Sequence, residues 1–318
     1  MPDKAYFDAK LNDIRRLIGA GDFASARLGL EALGQEADRN EMGELTALNL
    51  PRRLHSAYLR LAKAEGDGLA KVGYQYLLVP PPQTLSSYGQ FSPNEIVSLA
   101  AKNREAVPRL LHQVWIGDKP LPPSTTAWAH HADRHGYQYR LWREDDLARA
   151  GFSRDPVFQA MLSQGDYPGA VDVARYLILS SVGGLYLDCD FYPARDDISF
   201  HDCLPLVGLT AFAEDVPRLT GYGSVLLANS FIAAPAGHPV FARILQALPD
   251  IAWRLPRAPA WWATGPLIFT IVARAGAVSL APAGLIAGSL SDRAPFAAVE
   301  EIRQNAKGAG LLIAWKSW

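Results

Sequence analysis

Cysteine is almost missing from this chain. Cys189 and Cys203 are the only two in 318 residues, too few for a disulfide framework and too few thiols for a closed structural zinc site. An excess charge of either sign is also missing. The 31 Lys+Arg and 32 Asp+Glu leave a net charge of -1, so no overall field draws the chain onto nucleic acid or an anionic membrane, and any anionic ligand needs a local site. Long apolar runs are absent too. The least charged late stretch, Ala275 to Ser291, is interrupted by Pro282 and several glycines and is too short to span a bilayer. The opening MPDKAYFDAKLNDIRR carries charge from its third residue and has none of the apolar middle of a secretory signal. These absences predict a soluble, cytoplasmic protein with no nucleic acid partner and no transmembrane segment. What is present is core: 49% of residues are hydrophobic, and the length suits about two domains at roughly 150 residues each.

The first stretch, from Ala5 to about Glu65, has helical spacing, with Leu11, Ile14 and Ile18 on one face and Leu30 and Leu33 after a break at Gly19-Ala20-Gly21. Asp22 suits the N-cap of a second helix, and Pro51 the first turn of a third carrying Leu54, Tyr58 and Leu61. One helix pair has the Gly and Ala placement of a tetratricopeptide-like unit, but no second copy follows, so the stretch reads as a small helical bundle. Pro80-Pro81-Pro82, Ser86-Ser87 and Gly89 then punctuate the chain, and a short helical stretch follows near Asn94 to Asn103. We place the domain boundary here, with a helical N-terminal domain and linker over 1–100 and a second domain over 101–318. Beyond Val107, LLHQVWIG, QYRLW, LYLDCDF and SFIAAP read as strands and VDVARYLILSSV as a helix, the alternation of an α/β sheet with its ligand crevice at the strands' carboxyl ends.

The most informative run is Val171 to Asp190. Its first half is a helix stopped at Gly183-Gly184, which sets Asp172 and Arg175 on one face. Gly184-Leu-Tyr-Leu then reads as a buried strand followed by Asp188 and Asp190. Because strand side chains alternate, the two carboxylates at its C-terminal end point the same way, about 6 to 7 Å apart along the chain. Such a pair suits a hard divalent cation that neutralises a diphosphate, whereas an isolated Asp-X-Asp is often a solvated turn. The apolar strand before it and the acid and base on the preceding helix favour the metal reading. Cys189 reads as a small buried hydrophobe between them. His130, His131 and His135 read as part of a solvated helix rather than a transition-metal site. Trp261-Trp262 reads either as core or as an acceptor platform, and Trp115 as a core aromatic on the first strand.

Asp172-x-x-Arg175-Tyr176 with Gly183-Gly184-x-Tyr186-x-Asp188-x-Asp190 resembles the DXD sugar-binding region of glycosyltransferase family 32, and distantly the glucosylating domains of the large clostridial toxins. The resemblance continues in Pro108 to Gly117, in Tyr139-Arg-Leu-Trp142 with Asp145-Asp146, in Asn229 to Ala234 with His238-Pro239, in Thr264-Gly265-Pro266 and in Ser317-Trp318. It covers about 107–318 and leaves 1–100 outside.

This resemblance implies a GT-A fold, a Rossmann-like nucleotide-sugar-binding sheet, here joined to an N-terminal α-helical domain. It implies a retaining, metal-dependent hexosyltransferase using a UDP- or GDP-sugar, with Mn2+ or Mg2+, to form an α-linkage on a glycan or glycoconjugate hydroxyl, as in polysaccharide biosynthesis. Asp188, Asp190 and Ser317 would hold the metal. Asp172 and Arg175 would hold the donor sugar, Trp115 the base, and Tyr186, Asn229 and Trp318 the rest of the donor. Thr264, Gly265 and Pro266 would lie on the acceptor side, and catalysis would fall to Asp172, Arg175, Asp188 and Asp190. Relatives carry a His or Glu shortly before the closing Ser-Trp, where this chain has Leu312-Ile-Ala-Trp315. Two alternatives remain, a toxin- or effector-like enzyme that glycosylates a protein and a catalytically idle nucleotide-sugar-binding protein.

Overall fold

The computed structural model describes residues 2–46, 48–77, 82–213, 226–255, 258–306 and 310–318. Among these, one compact unit runs to Thr84, and a second holds Leu85–Ala213 and Leu226–Trp318. Pro80 and Pro81 of the expected linker lie outside the described residues.

The first unit is helical, with helices over Lys4–Gly19, Phe23–Gln35, Arg52–Glu65 and Gly68–Leu77. The side chains of Asp3 and Asp22 accept from the Tyr6 and Ser25 amides and start the first two helices. Pro51 is the N-cap residue of the third rather than inside its first turn, and Gly66, in the left-handed region at φ 73°, ends it. Phe7, Leu11, Ile14, Ile18, Leu30, Leu33, Leu54 and Leu61 close one core, the stripes expected from helical spacing.

The second unit has the α/β sheet expected from the sequence. Its strands are β1 (Leu110–Val114), β2 (Gln138–Trp142), β3 (Gly184–Leu187), β4 (Phe191–Pro193), β5 (Thr210–Ala213), β6 (Leu227–Ala234), β7 (Ser279–Leu280), β8 (Ile286–Ser289) and β9 (Leu312–Ala314). A six-stranded sheet runs β2-β1-β3-β6-β5-β7, and a three-stranded sheet runs β4-β9-β8. β1 is parallel to β2 and β3, β6 is antiparallel to β3 and β5, and β5 is parallel to β7. The helix Pro93–Lys102 belongs to this unit, begun by a Ser92/Glu95 capping box, although it lies mostly before residue 100.

The strand expected over LYLDCDF is two strands in different sheets. β3 ends at Leu187, the Asp188 carbonyl accepts from the Phe191 amide, and β4 then pairs with β9. Residues 188–190 are therefore a turn at the junction of the two sheets, and strand alternation does not orient the two aspartates. β3 is buried along its whole length, its last contact with β6 is the Asp188 amide donating to the Ser230 carbonyl, and the chain then turns away to pair as β4 with β9.

Two glycines make this junction possible. Gly183 ends the helix Tyr167–Val182 at φ 65°, and Gly184 opens β3 at φ 101°. A Cβ on Gly184 would stand 2.8 Å from Leu110 Cβ and from the Leu110 carbonyl oxygen, and one on Gly183 would stand 2.4 Å from the Ala236 amide nitrogen. His112 of β1 locks the same place, its Nε2 donating to the Gly183 carbonyl and its Nδ1 accepting from Trp142 Nε1. The helix Pro123–Arg134 carries the histidine cluster, and its reading as solvated fails at one position: His131 is buried against Trp128 and Phe200, while His130 is exposed. Among the described residues, no three His, Cys, Asp or Glu side chains gather into a metal-holding group, and no helix is long and apolar enough to cross a membrane.

Burial pushes His112, His131 and His238 down to about 4. Unfolded histidine titrates near 6.5, so between these limits the unfolded chain binds more protons and folding weakens as the pH falls. Replacing buried His131 by Phe should therefore remove part of the loss of thermal midpoint between about pH 6.5 and 4, as melts of variant and parent side by side will show. Gly184→Ala should lower stability by about 2 kcal/mol or more, since it adds both positive-φ strain and a backbone clash, as denaturant midpoints will read.

Candidate active site

The helix Tyr167–Val182 begins at Asp166, whose carboxylate accepts from the Gly169 amide, with Pro168 in its first turn. Its inner face carries Asp172, Arg175 and Tyr176, spaced three and four apart and all buried. Arg175 is 4% exposed and joins the helix to the turn after β3. Its Nη2 lies 3.0 Å from Asp172 Oδ1 and 3.2 Å from Asp188 Oδ1, and its Nη1 donates to the Asn229 carbonyl. The guanidinium also lies over the Tyr186 ring at 4.5 Å, and the Tyr186 hydroxyl donates to Asp188 Oδ1 at 2.6 Å.

Behind this bridge, Asp172 is fully engaged. Thr264 Oγ1 donates to its Oδ2 at 2.9 Å and Asn229 Nδ2 to its Oδ1 at 2.8 Å. The Tyr176 hydroxyl donates to the Thr264 carbonyl and accepts from Asn229, completing a buried network. Burial pushes Asp172 up to about 6 against the opposing pull of Arg175, Thr264 and Asn229, which leaves it ionised at neutral pH.

In front of Arg175 is a cavity of about 800 Å³, of a size that holds small-molecule ligands. Its lining includes Trp115, Tyr167, Arg175, Tyr186, Asp188, Asp190, Lys316 and Trp318. Trp115 follows β1, and its Nε1 donates to the Lys119 carbonyl, which fixes the ring. Trp318 meets it edge to face, with centroids 4.8 Å apart. The Gly117 amide donates to Glu144, ordering the loop after β1.

The turn also brings Asp190 to this wall, tied down by its carbonyl accepting from the Trp315 amide at 2.6 Å. Asp190 Oδ1 is buried with no hydrogen-bond partner among the described residues. Its carboxyl is pushed up to about 7, first by burial and then by the charge of Asp188, and Asp188 is raised by burial despite Arg175. With Asp172, Asp188 and Asp190 around one buried guanidinium and Lys316 on the wall, the site carries an excess of negative charge when ionised. An orphaned carboxylate oxygen in such a field fits a divalent cation, held by Asp188 and Asp190, with water filling the rest of its shell. The Cys189 thiol donates to the Val114 carbonyl at 3.5 Å.

The structure thus brings Trp115, Arg175, Tyr186, Asp188, Asp190 and Trp318 to one cavity. Asp172, Asn229 and Thr264 are not on its wall, and they buttress Arg175 from behind. Gly265 and Pro266 are buried in the same region, where a Cβ on Gly265 would approach Asp172 Oδ2 to 3.0 Å. Ser317 is half-buried between the wall residues Lys316 and Trp318. Trp262 is core, at 6% exposed. Sequence reasoning passed over Lys119, Tyr167 and Lys316. Only Lys316 had a signal, its place beside Ser317-Trp318.

Residues 124–202 match the family model described as glycosyltransferase sugar-binding region containing DXD motif. The matched segment contains Asp188-Cys189-Asp190, which has the form of the motif that the model names. Among curated proteins, the chain is similar to inositol phosphoceramide mannosyltransferase 3 of Schizosaccharomyces pombe, 29% identical over 177 residues that make up 52% of this chain and 45% of that protein. It is also similar to mannosyl phosphorylinositol ceramide synthase SUR1 of Saccharomyces cerevisiae, 26% identical over 53% of this chain and 42% of that one. The chain thus spans less than half the length of these relatives. Among solved structures it is similar to PaToxG Glycosyltransferase, at 16% identity and a TM-score of 0.42 over 56% of this chain and 72% of that one.

Arg175→Ala should cost about 3 to 5 kcal/mol in denaturant unfolding, because it leaves Asp172 buried without its cation. Arg175→Lys should recover part of that loss and little ligand binding, since an ammonium cannot bridge two carboxylates and stack on Tyr186 at once.

Proposed function

We propose that this protein is a retaining, divalent-metal-dependent glycosyltransferase. It moves a hexose from a UDP- or GDP-sugar to a hydroxyl of a glycan or glycoconjugate and forms an α-linkage. The observation that carries this reading is the union, on one cavity wall, of the orphaned Asp190 carboxylate, the Asp188–Arg175 bridge and the Trp115–Trp318 pair. An aromatic wall suits a base, and the carboxylates and guanidinium suit a diphosphate, so the cavity has the two chemistries that a nucleotide sugar presents.

Manganese or magnesium, held by Asp188, Asp190 and Ser317, would neutralise charge developing on the leaving diphosphate. Arg175, fixed in advance by Asp172, Asp188, the Asn229 carbonyl and the Tyr186 ring, presents its positive charge without reorganising. Trp115, its indole N–H already committed to Lys119, offers a ring face for the base, and Trp318 and Lys316 close the diphosphate side. The acceptor hydroxyl attacks the anomeric carbon on the face that the diphosphate leaves. The bond from that carbon to the diphosphate oxygen breaks as the new glycosidic bond forms, and the hydroxyl proton passes to the departing oxygen. Mannose is the first sugar to test, because both relatives are named for mannosyl transfer.

Incubation with manganese and a panel of UDP- and GDP-hexoses should release one nucleoside diphosphate selectively, by slow hydrolysis without acceptor. Asp190→Asn, which keeps the size and removes the charge, should lower that release on the order of 100-fold or more while the melting temperature holds. Full release by the variant would overturn the reading. Failure of every donor to be hydrolysed or bound would leave an idle site instead.

A further inference from the structure

One wall of the cavity in front of Arg175 is a single irregular loop, Trp115 to Pro120, that follows β1. Its backbone polar groups have no sheet ladder to hold them, so its shape rests on side chains that reach it. Gly117 at its centre has a φ of 91°, and its backbone lies against the Tyr167 ring, which a Cβ would approach to 3.1 Å. Both polar groups of Gly117 are held by neighbouring residues of one other segment. The amide donates to Glu144 Oε1 at 2.5 Å, and the carbonyl accepts from Arg143 Nη2 at 3.4 Å. Arg143 Nε in turn donates to Glu144 Oε2 at 3.4 Å, which closes a ring of contacts. These two residues start the short helix Glu144–Arg149 directly after β2, whose last residue, Trp142, accepts from the Trp115 amide through its carbonyl. Among the described residues that line the cavity, neither Arg143 nor Glu144 appears.

We propose, on the nucleotide-sugar reading of this cavity, that Arg143 and Glu144 are a positioning pair that sets nucleotide affinity by fixing the face on which the base lies. Their action passes through Gly117. That residue stands midway between Trp115 and Lys119, and the Lys119 carbonyl accepts from the Trp115 indole N–H at 3.0 Å. Fixing Gly117 therefore fixes the brace that holds the Trp115 ring. Without the Glu144 acceptor the Gly117 amide turns to water, and a glycine lets the loop rotate about that point at little steric cost. The ring then loses its place, and the base loses its share of the affinity. Arg175, Asp188 and Asp190 stand on other elements and keep the diphosphate side in place. With side chains 35% and 51% exposed, the Arg143–Glu144 ion pair contributes little to folding, so its effect falls on the loop rather than on the stability of the whole unit.

The test is calorimetric titration of the full chain with UDP, GDP and inorganic diphosphate, in manganese, for the parent, Glu144→Ala and Glu144→Gln. Glu144→Ala should weaken the nucleotide that the parent binds about 10-fold, the loss of one hydrogen bond to a charged acceptor. Its affinity for inorganic diphosphate and its melting temperature should hold. Glu144→Gln keeps an Oε1 acceptor for the Gly117 amide and should return nucleotide affinity to within about 3-fold of the parent. In donor hydrolysis the Glu144→Ala loss should fall on KM and leave kcat near the parent value. Undiminished nucleotide affinity in Glu144→Ala, an equal loss for nucleotide and inorganic diphosphate, or no recovery in Glu144→Gln would each overturn the positioning role and leave the nucleotide-sugar reading standing. A parent chain that binds neither UDP nor GDP would overturn that reading and the positioning role together.

Discussion

The site depends on one buried cation. Arg175 is sequestered from water among Asp172, Asp188, the Asn229 carbonyl and the Tyr186 ring, and these contacts come from three different parts of the chain. An unpaired guanidinium at that depth would be prohibitive, so the fold must bring both acids to it. This pairing holds the start of the helix Tyr167–Val182, the end of β3 and the centre of β6 in one geometry. Asp172 is the structural partner, saturated by Thr264 and Asn229. Asp188 is the partner shared with the cavity.

A second constraint acts on the turn itself. Residues 188–190 leave the large sheet and enter the small one, and the Asp190 carbonyl is bound by the Trp315 amide next to β9. The motif is therefore clamped between the central strand and the segment carrying Lys316, Ser317 and Trp318. Trp318 in turn packs on Trp115 from the end of β1. Three segments distant in sequence meet at the cavity because the two sheets share this junction, which gives an active-site wall rigid support on strands and leaves only its rim to loops.

The elements most legible in the sequence were those with strong local signals. The helix bearing Asp172 and Arg175 could be placed from its spacing and from Gly183-Gly184, and β1, β2 and β6 from short apolar runs. The break between β3 and β4 could not, because an Asp-X-Asp inside an apolar run has the same pattern whether the strand continues or changes sheets. That decision is made by β9, more than a hundred residues away. The same limit applies to Asn229 and Thr264. Their types suit sugar hydroxyls as well as a buried carboxylate, and only tertiary placement shows them bonded to Asp172. His131 looked solvated within a polar stretch, yet helical rotation turns it onto Trp128 and Phe200 while its neighbour His130 faces water.

Near-neutral composition concealed two local imbalances of opposite sign. One is the acid excess around Asp190, and the other is the group of arginines on the helical unit, and each has a buried polar atom without a partner among the described residues. The central claim concerns the first: the Asp188–Asp190 turn holds a divalent cation that makes the cavity a diphosphate site. Calorimetric titration of UDP and GDP, with manganese and with a chelator present, tests it most directly. The account requires saturable binding of one of them that depends on manganese and disappears in Asp190→Asn, while the variant melts like the parent chain. Equal binding with and without manganese, or undiminished binding by the variant, would contradict it.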